Sequence, residues 1–292
     1  MTFHIVHTTQ YRYSGWVTLC HNEAHLRPRT DDRQRCSVHR LVVEPAPSLT
    51  QERSDYFGNV LVYFAVEEPH NELRVTATST VEVRTGAKQA DLGASIVWES
   101  VGQRLRDDLR TDLIEARQFV LDSPLVVTSA ALAAYAQPSF APGRPLLDAV
   151  DDLNRRIHRE FAYERDFTTV STPLAELLEL RRGVCQDFAH LAIGCLRSLG
   201  LPARYVSGYV ESLPPPGQAR LRGADASHAW FSVCDPDQGW VDFDPTNDQL
   251  VSAQHVTTAW GRDYSDVSPL KGVVFGGGAH SLAVSVEIAR VA

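Results

Sequence analysis

The sequence is organised around one stretch, Arg-Gly-Val-Cys-Gln-Asp-Phe-Ala-His at residues 182–190. Gly183 marks a turn, and after it apolar residues recur at helical spacing, namely Val184, Phe188, Leu191, Cys195 and Leu199. Gly200 and Pro202 then follow as helix stop signals. Cys185 therefore falls in the first turn of a predicted helix, where unpaired backbone N–H groups and the helix dipole favour a thiolate. The same N–H groups can stabilise a developing oxyanion. This position suits a nucleophilic cysteine.

The composition of the whole chain indicates an ordinary soluble globular protein. Its 292 residues are enough for two domains, and 43% of them are hydrophobic while 22% are charged. The net charge of −8 leaves no extended basic face. We therefore expect neither nucleic acid nor an anionic membrane as a partner.

The N-terminus has no basic region followed by an apolar run, and no later segment has 18 consecutive apolar residues. These features predict a cytoplasmic protein without a membrane span. The cysteines are odd in number, scattered and without a Cys-x-x-Cys pair: Cys20, Cys36, Cys185, Cys195 and Cys234. Reduced thiols are expected, rather than a disulfide framework or a zinc knuckle.

Residues 1–90 are predicted to form an N-terminal antiparallel β-sandwich. The best strand candidates are Phe3–Tyr13, Val38–Val43, Val60–Val66 and Leu73–Val83. The last of these alternates apolar and polar residues with the period of a strand that has one buried face. Residues 91–125 lose this alternation and are interpreted as a connecting segment.

Residues 126–292 change to helices followed by strands, which predicts an α+β catalytic domain. The predicted helices are Ser129–Gln137, Leu146–Phe161 and Leu174–Arg181, with Gly183 closing the last. The predicted strands are Arg204–Val210, Ala229–Val233, Trp240–Phe243 and Leu282–Val291. The proline-rich stretch Glu211–Ala226 is expected to form a surface loop at the rim of the site, and Gly272–Gly278 a turn before the last strand.

A cysteine nucleophile needs a base and a group that orients the base. His228 starts one predicted strand and Asp244 ends the next, with a turn at residues 235–239 between them. In an antiparallel pair these two ends are adjacent, at a rim that the helix of Cys185 could approach. Asp242 lies on the same strand face as Asp244, and Asp187 is a third acid, so spacing alone leaves the choice of acid open.

A metal site is the competing interpretation of these residues. It would use Cys185, His190, His228 and Cys234, but no pair among them has the short spacing of zinc ligands. We therefore expect no metal.

Three sequence blocks resemble the motifs of the bacterial transglutaminase-like superfamily. They are Gly-Val-Cys-Gln-Asp-Phe-Ala-His at 183–190, Ser-His-Ala-Trp at 227–230, and Gly-Trp-Val at 239–241 with Asp-Pro-Thr-Asn at 244–247. The β-rich first third also resembles the N-terminal region that often precedes this domain in bacteria. The resemblance implies a papain-like α+β fold with Cys185 as nucleophile, His228 as general base and Asp244 as its orienting acid.

The resemblance also implies acyl transfer from a peptide or carboxamide through a thioester on Cys185. Papain-type enzymes place a glutamine oxyanion donor six residues before the cysteine, where this chain has Glu179, so Tyr163 is suggested as the second donor. Trp230, with Trp240 and Trp260, is suggested to line the substrate pocket. No counterpart of the acidic calcium loops of the animal enzymes is evident, so we expect calcium independence and no cofactor.

Four outcomes stay open at the level of sequence. Water as the second nucleophile gives a peptidase or amidase, which the lack of a signal sequence favours, and an amine gives a cross-linking transferase. An arylamine N-acyltransferase is a further enzymatic variant. A non-catalytic peptide-binding or assembly module is the alternative from another class, and the presence of Cys185, His228 and Asp244 together argues against it.

Overall fold

The N-terminal third forms antiparallel strands, as its alternating pattern predicts. A computed structural model of the chain describes residues 1–84, 90–165, 167–211 and 227–291. The strands of this part are β1 (Thr2–Ala24), β2 (Gln34–Glu44), β3 (Leu49–Ser54), β4 (Val60–Val66) and β5 (His70–Val83). On β5 every second residue from Leu73 to Val83 is buried, which confirms that this strand turns one face to a core.

The middle of the chain is helical. The helices are α1 (Val101–Asp107), α2 (Thr111–Ala116), α3 (Ala130–Ala136), α4 (Leu146–Glu160), α5 (Leu174–Leu180) and α6 (Cys185–Ser198). α3 is capped by the Ser129 hydroxyl, which accepts the Leu132 N–H at 3.2 Å. α5 ends differently from the prediction, because Arg181 and not Gly183 takes the left-handed conformation, with φ 54°. The segment predicted as a connection, residues 91–125, contains α1 and α2.

A second sheet carries α6 on one face. Two short strands, β6 (Ala162–Tyr163) and β7 (Arg182–Gly183), pair in parallel just before α6. The sheet itself contains β8 (Ala203–Val210), β9 (Ser227–Asp235), β10 (Gly239–Asp244), β11 (Gln249–Leu250) and β12 (His255–Gly261), in the order β11-β10-β9-β8-β12. α6, α4 and this sheet share the largest hydrophobic core. The predicted α+β architecture is confirmed.

The C-terminal strands return to the N-terminal sheet. After α7 (Tyr264–Val267), strands β13 (Leu270–Gly276) and β14 (His280–Val291) both pair with β1. The N-terminal strands and these two form one seven-stranded antiparallel sheet that curls around β1. The assignment of residues 126–292 to a catalytic domain stays a prediction, and the last two strands of that range pair with the N-terminal sheet. Alternation identified a strand at Leu282–Val291, but it carries no information about which strand is its neighbour.

The N-terminal sheet contacts the second sheet along β12. Gln34 exchanges two hydrogen bonds with the backbone of Thr257, at 2.7 and 2.8 Å. Asn59 does the same with the backbone of Trp260, at 2.8 and 3.0 Å. These side-chain amides form hydrogen bonds with backbone N–H and C=O groups of β12, an edge strand that has no neighbouring strand of its own sheet on this side.

Two further expectations concern the surface. The predicted rim loop Glu211–Ala226 lies, from residue 212 onward, outside the described residues. The predicted glycine turn is shorter than expected, because β13 extends to Gly276. Within the described residues, no helix combines the length and the apolar character needed to cross a membrane.

Candidate active site

Cys185 is the first residue of α6 and is partly exposed. The carboxylate of Asp187 holds the start of this helix, since it accepts the Val184 N–H at 2.8 Å and the Thr168 hydroxyl at 2.6 Å. A side chain at Gly183 would collide with this carboxylate, because an added Cβ would lie 2.7 Å from Asp187 Oδ2. The glycine therefore allows the local structure that presents Cys185 at a helix N-terminus, where N–H groups have no partner within the helix.

His228 lies between Cys185 and Asp244. Its Nε2 atom is 2.8 Å from Asp244 Oδ2, and the exposed fractions of the two side chains are 8% and 0%. With Nε2 engaged, Nδ1 is the ring nitrogen left for Cys185. Burial lowers the pKa of His228, but hydrogen bonds and charge interactions with Asp244 and Cys185 outweigh this effect and raise it to about 10. These interactions favour the protonated imidazole.

Asp244 is fully buried and accepts hydrogen bonds on both oxygens. Oδ1 accepts the backbone N–H groups of Thr246 at 3.0 Å and Asn247 at 3.3 Å. Oδ2 faces His228, the Asn247 side-chain amide at 2.7 Å and His255 Nε2 at 3.1 Å. Burial raises the pKa of Asp244, but the hydrogen bonds from His228 and His255 lower it by more, so the carboxylate stays ionised.

The two other acids lie elsewhere. Asp242 points toward the N-terminal sheet, where Arg33 Nη1 is 3.1 Å from its Oδ2. Asp187 is occupied at the start of α6. The structure therefore brings Asp244, and neither of the others, to His228.

The residues of the competing metal site are not gathered in one place. His190 is buried in α6, and its Nε2 accepts the Tyr264 N–H at 3.1 Å. Cys234 lies at the far end of β9, paired with Trp240. Among the described residues, the His, Cys, Asp and Glu side chains close enough to share an ion are His228, Asp244 and His255. Their facing atoms are already joined by hydrogen bonds, since both imidazoles contact Asp244 Oδ2.

The two residues suggested to bind substrate have different environments. Tyr163 is 47% exposed, and its strand β6 pairs with Gly183, two residues before Cys185. Burial and the nearby charge of Cys185 raise the pKa of Tyr163. Trp230 has no exposed surface, so in this structure it offers nothing to a substrate. Its ring packs against those of His255, at 5.3 Å, and His228, at 6.0 Å. Glu179 is exposed on α5.

Sequence reasoning missed His255 and assigned no role to Asn247. Asn247 stands in the Asp-Pro-Thr-Asn block, so its nearness to Asp244 had a local signal. His255 had none. It is the first residue of β12, and two strands lie between β12 and β10 in the sheet. A single histidine with no motif around it cannot be placed by spacing.

Comparisons with known proteins assign the family. Residues 133–245 match the transglutaminase-like superfamily, and residues 3–82 match the bacterial transglutaminase-like N-terminal region. The chain belongs to the transglutaminase-like superfamily. The predicted resemblance, in both parts of the chain, is confirmed.

Individual relatives are similar over different lengths. An uncharacterised protein of Mycobacterium tuberculosis is 43% identical, over 98% of this chain and 92% of its own length. The crystal structure of a candidate cysteine protease from Cytophaga hutchinsonii covers 99% of this chain, with 90% of that chain aligned, 25% identity and a TM-score of 0.76. A protein-glutamine gamma-glutamyltransferase of Pseudomonas aeruginosa is 34% identical, but only over 40% of this chain and 18% of its own length.

Proposed function

We propose that this protein is a cysteine-dependent hydrolase that cleaves a peptide or carboxamide bond through a thioester on Cys185. His228 serves as the acid and base, and Asp244 orients it. The observation that carries the proposal is the position of His228, which is buried with Nε2 on a fully buried carboxylate and hydrogen-bonded to Cys185.

The first half of the reaction forms the acyl-enzyme. Cys185 is hydrogen-bonded to the imidazole of His228, and it reacts as the thiolate of an ion pair with the imidazolium. The sulfur attacks the carbonyl carbon, and the oxyanion is stabilised by the Cys185 backbone N–H at the start of α6. His228 then donates its Nδ1 proton to the leaving nitrogen, the C–N bond breaks, and a thioester remains.

The second half of the reaction regenerates the enzyme. Neutral His228 takes a proton from water as the water oxygen attacks the thioester carbon. The C–S bond then breaks, the acid product leaves, and the thiolate faces an imidazolium again. Asp244 stabilises that positive charge throughout, and it stays ionised because its hydrogen-bond donors surround it. Tyr163 is 47% exposed, and the nearby charge of Cys185 helps to raise its pKa, which supports a contact of this residue with the acyl group or the oxyanion.

Hydrolysis is proposed ahead of amine transfer because of how far each likeness extends. The candidate cysteine protease aligns along nearly the whole chain, whereas the gamma-glutamyltransferase matches a minor part of both proteins. Amine transfer uses the same thioester, so it is the second candidate. The two differ only in which nucleophile reaches the acyl-enzyme.

The test is a mass-spectrometric product screen. Purified protein is incubated with a peptide library and a primary amine, and cleaved, deamidated and amine-coupled products are scored. We expect cleaved or deamidated products that disappear in Cys185→Ala. Cys234→Ala is the matched control, because it removes a buried thiol at the far end of β9 and should leave the products unchanged.

Other outcomes would change the assignment. Cys185-dependent amine coupling would make the protein a transglutaminase. Products that persist in Cys185→Ala would overturn the hydrolase proposal. So would the absence of any covalent product when the wild type and Cys185→Ala both bind peptide saturably. The latter result would favour a peptide-binding module.

A further inference from the structure

We propose that His255 is a positioning residue, which acts by holding Asp244 in the orientation that His228 needs. The proposal rests on the proposed function of the site. It assigns to the catalytic carboxylate a second imidazole partner, from a strand that no motif block includes.

The geometry is that of one carboxylate oxygen between two imidazoles. Asp244 Oδ2 lies 2.8 Å from His228 Nε2 and 3.1 Å from His255 Nε2. Both imidazole rings contact the buried ring of Trp230, which fills the space beside them. His255 itself is buried and is therefore a partner of Asp244 rather than of a substrate.

The hydrogen bond at the other ring nitrogen of His255 determines which nitrogen carries the proton. Nδ1 lies 3.2 Å from the backbone nitrogen of Ser252, and a backbone N–H can only donate. Nδ1 therefore accepts, and the single proton of the neutral ring is on Nε2, directed at Asp244. A neutral donor fixes the carboxylate without adding a second positive charge beside His228.

The position of His255 depends on the N-terminal sheet. β12, which begins at His255, is anchored by the hydrogen bonds of Gln34 to Thr257 and of Asn59 to Trp260. The neighbouring strand is also engaged, because Tyr209 Oη lies 2.9 Å from His7 Nδ1. The N-terminal region thereby contributes to the site without touching it.

Gly208 on β8 also permits the packing of Trp230 against His255. A side chain at Gly208 would collide with the carbonyl oxygen of Val256 and with the ring of Trp230. The absence of a Cβ lets Trp230 lie across β8 and meet His255. Among the described residues, the titratable groups that interact with the ring of His228 are Cys185, Asp244 and His255. Glu211, which directly follows β8, is paired with Arg290 at 2.7 Å.

Two substitutions separate hydrogen bonding from packing. His255→Gln keeps an N–H donor near the position of Nε2, whereas His255→Leu keeps an apolar side chain without a donor. We expect His255→Leu to lower kcat about 10–100-fold with little change in KM, and His255→Gln to stay within about threefold of the wild type. Thermal unfolding of both variants reports whether each one folds.

A spectroscopic measurement makes the test independent of the reaction. The His228 Nε2 proton, held against Asp244, should give a downfield imidazole signal in proton NMR of the wild type and of His255→Gln. We expect this signal to weaken or broaden in folded His255→Leu. The alkylation rate of Cys185 should fall in parallel.

The outcomes distinguish this proposal from the proposed function. Folded His255→Leu with an unchanged kcat and NMR signal, or His255→Gln impaired as much as His255→Leu, would overturn the role of His255. If the wild-type protein shows neither turnover nor fast alkylation of Cys185, the hydrolase proposal fails. The NMR signal then tests by itself whether His255 holds Asp244.

Discussion

The five-stranded sheet buries a charged side chain near each of its two ends. The first end is where β9 begins and β10 ends, beside the partly exposed thiol of Cys185, and the second is where β10 begins. At the first end, Asp244 is surrounded by hydrogen-bond donors and faces His228. At the second end, Arg204 lies between the rings of Trp240, at 4.2 Å, and Trp260, at 3.9 Å.

The two ends stabilise charge by different means. Burial lowers the pKa of Arg204 to about 10, although the charge of Asp242 opposes this effect. Its Nε has no hydrogen-bond partner among the described residues. Aromatic faces attract a cation without offering a group that accepts or donates protons. Donors around a carboxylate instead keep it ionised and directed at an imidazole, which is what proton transfer requires.

The two thiols near these ends also differ in their environments. Cys234 lies near Arg204, and burial raises the pKa of its thiol to about 12. Cys185 is partly exposed and is hydrogen-bonded to His228, whose imidazole has a raised pKa. The environment, and not the residue type, decides which cysteine can react.

The largest expected effect is that of Asp244→Asn. A neutral amide stabilises the imidazolium less than a carboxylate does and can present its NH₂ group to Nε2, so kcat should fall about 10⁴-fold, as when the acid of such a triad is replaced. The measurement is kcat on the substrate found in the product screen. Asp242→Asn, on the same face of the same strand but paired with Arg33, is the matched control and should stay within about twofold. Equal losses in the two variants would contradict the assignment of Asp244.

The second prediction compares the thiols directly. Under limiting iodoacetamide at neutral pH, Cys185 should be alkylated at least about 100-fold faster than Cys234, because only a thiolate reacts and burial keeps Cys234 protonated. Peptide mass spectrometry after timed quenching measures both rates in one sample. Urea-unfolded protein, in which the two sites should react alike, provides the reference. Similar rates in the folded protein would remove the distinction between the two ends.

The smallest expected effect is that of Arg204→Leu. Loss of the two ring contacts should lower the free energy of unfolding by about 2 kcal/mol, since the cation is desolvated between them. Denaturant unfolding measures this change. Arg53→Leu, which breaks an exposed pair with Glu23, should cost less than about 1 kcal/mol. We expect kcat of Arg204→Leu to match the wild type well below its unfolding temperature, and a clear drop would show that the two ends are coupled.

Much of the site could be predicted from sequence because its parts are local. The turn at residues 235–239 sets the register of β9 and β10, so His228 and Asp244 meet at one rim. Gly183, the apolar spacing and the stop signals place Cys185 at a helix start. The roles of Cys185, His228 and Asp244 stay predictions until the reaction is measured, but the structure brings these three residues together.

The remaining features depend on contacts between distant segments. Trp230 falls in a predicted strand, but its full burial follows from Gly208 on the neighbouring strand. The sequence predicts β14 as a strand but predicts a turn over most of β13. The pairing of both strands with β1 depends on closing a chain of more than 200 residues, for which no periodicity exists.

The sequence by itself determined the family, the α+β class and the residues Cys185, His228 and Asp244 as one candidate site, because short-range periodicity and turn chemistry set helix starts and hairpin registers. Only the tertiary structure decided that β13 and β14 complete the N-terminal sheet, and that His255 joins Asp244. Strand order in a sheet and the meeting of side chains across it depend on packing between segments far apart in the chain, and the spacing of residues does not encode that packing.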